Sequence, residues 1–349
     1  MAPPEQKALF LVSKHGTFSL GTKAVPAPKA GELLVKVETA SLNPIDWKVQ
    51  KYGGFIETYP AILGTGLSGT VEEVGEAVTS FSKGDKVVSI GSWTNDSNAF
   101  QQYALIAATF AAKLPPSTSF DEGATLPNGT VTAALALYGT PNPTAPGGIG
   151  LTAPWDGGRG KYAGKPILVF GGASSVGQYV IQFAKLSGFS PIITTASPSS
   201  EALLKSLGAT HIVNRKLPPA DIKSAISSFI TSPLELIYDA ISISDTQQVA
   251  YDLLAPGGTL VLTLPATVEV DESKDQRIFQ VQGLVQVPSH RKVGTRLYVE
   301  LPKLLASGDI KPNPVKVLPN GLEGIVEGLK ELERGVSGVK LVAKPQETA

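Results

Sequence analysis

The residues best suited to chemistry in this chain form one turn, Gly171-Gly-Ala-Ser-Ser-Val-Gly177. A short apolar run, Lys165–Phe170, precedes it. A segment with helical spacing follows, Val176 to Leu186, with Val176, Val180, Phe183 and Ala184 on its apolar side. A glycine-rich turn from strand to helix suits a dinucleotide. Glycine permits the tight turn, the backbone can approach a pyrophosphate, and the helix N-terminus supplies N–H donors and a partial positive charge. Read from Gly172, the middle glycine of G-x-G-x-x-G is replaced by Ser174, which crowds the approach slightly but offers a hydroxyl to phosphate. The end of the next strand reads Thr194-Thr-Ala-Ser-Pro-Ser-Ser200. Sites for NAD usually carry an acidic residue there to hold the ribose 2′-hydroxyl. Here hydroxyls cluster at Ser197, Ser199 and Ser200, and Arg215 follows the third strand. Small donors plus one cation suit a 2′-phosphate, so the pattern predicts NADPH. Ser197 also reads as a helix cap, a use compatible with phosphate contact because both need the same N-terminal geometry.

Other chemistries are excluded by what the chain lacks. There is no cysteine among its 349 residues, which removes thiolate nucleophiles, disulfides and cysteine-based zinc sites. The three histidines, His15, His211 and His290, are far apart; His211 reads as structural, and surface roles are expected for the other two. Lys+Arg and Asp+Glu balance at 30 each, which argues against a nucleic-acid binder acting through bulk charge. No apolar run approaches a membrane span, and Met1–Gln6 lacks the order of a signal peptide, so a cytoplasmic protein is expected.

The elements that must position the turn alternate. After Lys165–Phe170 and its helix come a strand near Pro191–Thr195, a helix from Ser199 to Leu207 and a strand at His211–Asn214. A helix from Ala220, a strand at Leu234–Asp239, a helix through Val249–Leu254 and a strand at Thr259–Leu264 follow. This order implies a parallel sheet with helices on both faces. The first third instead holds short strands bounded by glycine, at residues 32–38, 69–75 and 84–90, as in a small curled β domain. Helices at Tyr298–Ser307 and Leu322–Arg334 and a closing strand, Val339–Val342, complete the chain. Gly139–Gly164, crowded with proline and glycine, reads as a long loop, either a functional wall or a surface insertion.

Across almost its whole length the chain resembles the medium-chain dehydrogenase/reductase superfamily. The markers, in order, are Ser41-Leu-Asn-Pro-Ile-Asp-Trp47, Leu63-Gly-Thr-Gly-Leu-Ser-Gly-Thr-Val-Glu-Glu-Val-Gly75, Phe81-Ser-Lys-Gly-Asp-Lys-Val87, the stretch from Ala124-Thr-Leu-Pro to Thr132-Ala-Ala-Leu, and the glycine turn. Within the superfamily it is most similar to the zinc-free quinone oxidoreductase and enoyl reductase branch. Thr195-Ala-Ser-Pro, the proline-rich loop and Gly335-Val-Ser-Gly-Val-Lys-Leu-Val342 resemble fungal enoyl reductases that act in trans with polyketide synthases. Zinc alcohol dehydrogenases carry Cys where this chain has Asn43 and His-Glu where it has Thr65-Gly66, so the resemblance implies a metal-free site. Hydride transfer to an alkene conjugated with a carbonyl needs less help than alkoxide chemistry. Its charge spreads into an enolate that a few hydrogen-bond donors can stabilise.

The resemblance also implies roles. Asn43 and Asp46 would lie beside the nicotinamide end, although Asn43-Pro44 and Asp46 also read as a plain turn with an Asx hydrogen bond, the reading preferred for Asp46. Thr132 would meet the nicotinamide or its ribose. Ser174, Ser175, Val176 and Gly177 would bind pyrophosphate, Ser197, Ser199, Ser200 and Arg215 the 2′-phosphate, and Ser337 would touch the cofactor. Tyr52, with Tyr59 as a competitor, would stand near the substrate carbonyl and give the proton, since a phenol is protonated at pH 7. The expected architecture is α/β. A GroES-like β domain comprises residues 1–124 and 295–349, a Rossmann domain residues 125–294, and the active site lies in the cleft between them. The expected activity is NADPH-dependent reduction of an activated C=C bond in an enone, enal or enoyl thioester, by a monomer or homodimer. Quinone reduction and non-enzymatic NADPH binding are the alternatives.

Overall fold

The computed structural model describes residues 2–142 and 147–349; residues 143–146 of the proline-rich loop lie outside the described residues. The chain divides into two compact units. One runs to Asn128 and takes in Leu301–Ala306 and Pro312–Ala349; the other comprises Gly129–Glu300 and Ser307–Lys311.

In the first unit, β1 (Glu5–Leu11) pairs antiparallel with β2 (Phe18–Ala24). Then come β3 (Glu32–Ser41), α1 (Pro44–Tyr52), β4 (Ala61–Ile62), β5 (Gly66–Val74), β6 (Lys86–Ile90), β7 (Tyr103–Ala107), β8 (Ala111–Lys113) and α2 (Phe120–Ala124). β3 organises the larger sheet. Register shifts after Leu34 and Val37 bend it along β5, its first half pairs with β7, and its last two residues pair with a strand from the chain's C-terminus. Leu33, Val35, Val37, Leu67, Val71 and Val87 bury their side chains in one core, each contributing roughly 1.5–3 kcal/mol.

The helix α3 (Leu126–Tyr138) leads to the second unit's sheet. There β9 (Ile167–Phe170), α4 (Ser175–Ser187), β10 (Ile192–Ala196), α5 (Glu201–Leu207), β11 (His211–Asn214), α6 (Pro219–Ser227), β12 (Leu236–Asp239), α7 (Ser244–Leu253), β13 (Thr259–Leu262) and β14 (Arg277–Gln280) build six parallel strands in the order β11-β10-β9-β12-β13-β14. This is the doubly wound order in which the sequence reverses direction across β9 and β12. All four residues of β9 are buried, as a strand covered on both faces requires. The chain closes through α8 (Pro288–Ala306), β15 (Val315–Val317), α9 (Gly324–Arg334) and β16 (Lys340–Ala343).

Two sequence expectations need correction. The segment after Asn43, read as a turn, is the helix α1: Pro44 takes the first helical position, where its missing N–H costs nothing. His290, expected at the surface, is fully buried on α8, with Nδ1 2.9 Å from the Leu284 carbonyl and Nε2 3.0 Å from that of Gly147.

Candidate functional site

The second unit holds the glycine turn between β9 and α4. Gly171 takes a left-handed φ of +72°, which L side chains rarely adopt. A Cβ on Gly177 would stand 2.3 Å from the Gly171 carbonyl oxygen, and one on Gly172 2.1 Å from Thr194 Oγ1. The glycines are therefore required by close packing of turn, helix and β10. Ser174 caps α4: its Oγ accepts the Gly177 N–H at 3.0 Å and keeps its own proton as a donor. Thr195 Oγ1, on β10, accepts the Gly171 N–H at 3.1 Å and ties the turn to the neighbouring strand. Ser175 and Val176 occupy the first turn of α4, half-buried. The cradle and the helix N-terminus fit a dinucleotide pyrophosphate.

At the end of β10 the chain brings together two of the residues singled out for the 2′-phosphate. Arg215 Nε donates to Ser197 Oγ at 3.1 Å, and the Arg215 backbone N–H bonds the Ala196 carbonyl at 3.0 Å. Arg215 is exposed, as is its neighbour Lys216, which sequence reading passed over. Ser199 and Ser200 belong to a short 3-10 turn, Pro198–Ser200. Thr132 lies half-buried on α3, its carbonyl held by the Tyr238 hydroxyl at 3.4 Å, and Gly283 packs against its side chain.

The first unit holds a buried polar cluster around Asn43, the N-cap of α1. Asp46, with no exposed surface, accepts the Asn43 N–H at 2.8 Å and the Gly64 N–H at 3.2 Å. Burial pushes its carboxyl up to about 7, against the lowering effect of those N–H groups and of Lys340. Lys340, on β16, is also buried; desolvation pulls its ammonium down to about 8, against the attraction of Asp46. Its Nζ donates to Asn43 Oδ1 at 2.5 Å. Asn43 Nδ2 donates to the Ser41 carbonyl at 3.2 Å and to Asn128 Oδ1 at 3.1 Å, and Asn128 Nδ2 donates to Thr65 Oγ1 at 2.6 Å.

Tyr52 ends α1 and is 62% exposed, its ring tilted 6.1 Å from Trp47. Lys48, one turn earlier on the same side of the helix, is half-buried, and burial lowers its ammonium. Ser337 is exposed in the segment before β16. The structure thus joins Asn43 to Asp46, Ser197 to Arg215 and Ser174 to Gly177. Sequence reading missed Lys340 and Asn128. Their signals were a lysine inside the apolar closing strand and a lone amide in an apolar helix.

Residues 29–117 match the alcohol dehydrogenase GroES-like domain, and residues 175–279 match the zinc-binding dehydrogenase family. The trans-enoyl reductase himH of Aspergillus japonicus is 32% identical over 320 residues, covering 89% of each chain. The chain belongs to the medium-chain dehydrogenase/reductase superfamily. A second relative, a trans-enoyl reductase of Gibberella fujikuroi, is 30% identical over 342 residues, covering 91% of this chain and 93% of its own. Among solved structures, a mycobacterial protein complexed with NADPH superposes with a TM-score of 0.77 at 22% identity, over 97% of this chain and 100% of its own, and so shares the fold. This is an oxidoreductase superfamily that uses NAD(P)H. No helix among the described residues is long and apolar enough to cross a membrane.

The zinc for which the second family is named does not fit this donor set. Among the described residues, no three His, Cys, Asp or Glu side chains gather as ligands. Asn43 Oδ1, the oxygen a cation would need, is occupied by the Lys340 ammonium, and Asp46 spends both oxygens on backbone N–H groups.

Proposed function

We propose that this protein reduces a carbon–carbon double bond conjugated to a ketone, aldehyde or thioester carbonyl, using NADPH. The observation that carries the reading is the Asn43–Lys340 contact, which replaces metal ligation with hydrogen-bond donors. Such donors suffice for an acceptor whose charge spreads into an enolate. Identity to two trans-enoyl reductases supports the same class. The bound cofactor supplies the hydride. The residues of this chain bind, orient and protonate. Ser174, Ser175, Val176 and Gly177 hold pyrophosphate at the start of α4. Arg215, Ser197, Ser199 and Ser200 hold the 2′-phosphate, a role supported by the Arg215–Ser197 bond and by the absence of a carboxylate at the end of β10. Thr132, Asn43, Asp46 and Ser337 belong to the nicotinamide end, Asp46 by fixing the N-terminus of α1. Tyr52, exposed and one turn beyond Lys48, gives the proton. The acyl chain is offered by a polyketide synthase in trans, and the reaction takes place in the cytoplasm.

A panel of enones, enals, enoyl thioesters and quinones, followed by NADPH oxidation, tests the reading. Turnover of the conjugated alkenes with little quinone reduction supports it. Quinone turnover alone makes the protein a quinone reductase, and no turnover of either makes it an NADPH-binding protein.

A further inference from the structure

His290 stands in the first turn of α8 with no exposed surface. Each of its ring nitrogens faces a backbone carbonyl, Nδ1 that of Leu284 at 2.9 Å and Nε2 that of Gly147 at 3.0 Å. A carbonyl can only accept. A neutral imidazole has one N–H, so it bonds one of these oxygens and turns a lone pair toward the other. Only the imidazolium donates to both. The number of bonds therefore follows the number of protons on the ring. Residues 126–151 and 281–289, which carry the two carbonyls, contain no Asp, Glu, Lys or Arg. Their one titratable side chain, Tyr138, is bonded to the Phe183 carbonyl at 3.2 Å and to Ser187 Oγ at 2.8 Å. On α8 itself the next two residues, Arg291 and Lys292, are exposed. No counter-charge comes from these segments, so carbonyl dipoles meet the charged ring.

Both bonds lead back to α3. Gly283, one residue before Leu284, lies so close to Thr132 that a Cβ on it would stand 2.6 Å from Thr132 Oγ1. Gly147 begins a run whose N–H groups are tied to the end of the same helix and the residues just after it. Gly148 bonds the Thr140 carbonyl at 3.2 Å, Ile149 that of Ala136 at 2.8 Å and Leu151 that of Leu137 at 2.9 Å. His290 thus closes a circuit that runs from Thr132 through Gly283 and Leu284 to Gly147 and back to α3. We propose that His290 is a positioning residue for the cofactor: as an imidazolium it clasps Leu284 and Gly147 and holds Gly283 against Thr132, and on losing one proton it releases one carbonyl and loosens that contact. The proposal rests on the reading that Thr132 meets the nicotinamide or its ribose. It makes NADPH affinity depend on a proton that does not touch NADPH, and by linkage makes bound NADPH favour that proton.

The test uses the full-length protein with NADPH and no acceptor, from about pH 5 to about pH 8, the range in which an imidazole changes charge. His290→Asn places an amide N–H where Nδ1 stands, and His290→Gln places one where Nε2 stands. Each variant keeps a donor for one carbonyl, and neither titrates. At the acid end both should bind NADPH roughly tenfold more weakly than the wild type, the worth of about one buried hydrogen bond. At the alkaline end their Kd should lie within about twofold of the wild type, whose neutral ring also keeps one bond. The ratio of variant to wild-type Kd cancels the titration of the 2′-phosphate and of Asp46, which all three proteins share. A ratio that stays constant across the range, in a protein that binds NADPH, overturns the clasp and leaves the cofactor reading standing. NMR of the wild type labelled with 15N-histidine reads the ring without ligand and without a variant. His15 and His211 are both reached by solvent, so slowly exchanging ring N–H signals belong to His290. Two such signals that become one as the pH rises support the clasp, whereas one signal throughout, or two throughout, overturns it. Two signals becoming one in a protein that binds no NADPH at any pH would overturn the cofactor reading of Thr132, and with it the positioning role.

Discussion

Replacing Arg215 by alanine should convert an NADPH-selective protein into one that barely distinguishes the two nicotinamide cofactors. Arg215 Nε is spent on Ser197 Oγ, which leaves the two terminal NH2 groups as a fork for phosphate oxygens. Hydrogen bonds to charged partners are worth about 1.5–3 kcal/mol each. The side chain is exposed, so solvent and salt screen it toward or below the lower end of that range. Two such bonds at about 1–1.5 kcal/mol give about 2–3 kcal/mol, or roughly 30- to 150-fold in Kd. NADH lacks the 2′-phosphate, so its Kd should move less than twofold. Nucleotide fluorescence titrations of wild type and Arg215→Ala with both cofactors, at two salt concentrations, measure all four values. The NADPH penalty should shrink as salt rises. Equal weakening of NADPH and NADH would show that Arg215 supports the loop rather than reading the phosphate, and comparable wild-type affinities would refute the cofactor assignment itself.

Three further outcomes follow from the same geometry. Asp46 binds its proton more tightly folded, at about 7 against 3.8 unfolded, so unfolding free energy should fall by about 2 kcal/mol as pH rises from 5 to 7; chemical denaturation of Asp46→Asn should lack this fall, and a variant with the wild-type slope would contradict the assignment. Full activity should survive chelation, and the purified protein should contain no stoichiometric zinc by elemental analysis; activity restored by added metal after chelation would contradict the donor set. Tyr52→Phe should lower kcat roughly 10²-fold, the low end of general-acid contributions, with NADPH affinity unchanged; an unaltered kcat where hydride transfer limits the rate would assign the proton elsewhere, with Lys48 the next candidate.

The parts of this protein that were legible in its sequence are those whose requirements are local. The turn Gly171–Gly177 is set by backbone conformation and close packing within a few residues, so its role could be read from residue type alone. β9 to β13 were legible because buried parallel strands are short apolar runs, and the helices between them have regular spacing. β14 was missed: Arg277–Gln280 has only two apolar residues, its polar ends are exposed, and it pairs along one side only. α1 was hidden by Pro44 and by a polar composition whose helix is fixed at its start by the Asp46 carboxylate. Of the buried cluster, Asn43 and Asp46 were singled out, but the contacts that join them to distant partners were not legible. Asn43 meets Asn128 across 85 positions and Lys340 across 297, and only the paired ends of β3 and β16 bring that lysine to the cap of α1.

The central claim, hydride delivery to the alkene without reduction of the carbonyl, is tested most directly by isotope transfer. NADPH deuterated at the transferable C4 position is incubated with the protein and crotonyl-N-acetylcysteamine, and the product is analysed by mass spectrometry and NMR. The account predicts the saturated thioester with one deuterium at the β-carbon, and a solvent-derived proton at the α-carbon. Deuterium at the carbonyl carbon, with an aldehyde or allylic alcohol as product, would contradict it.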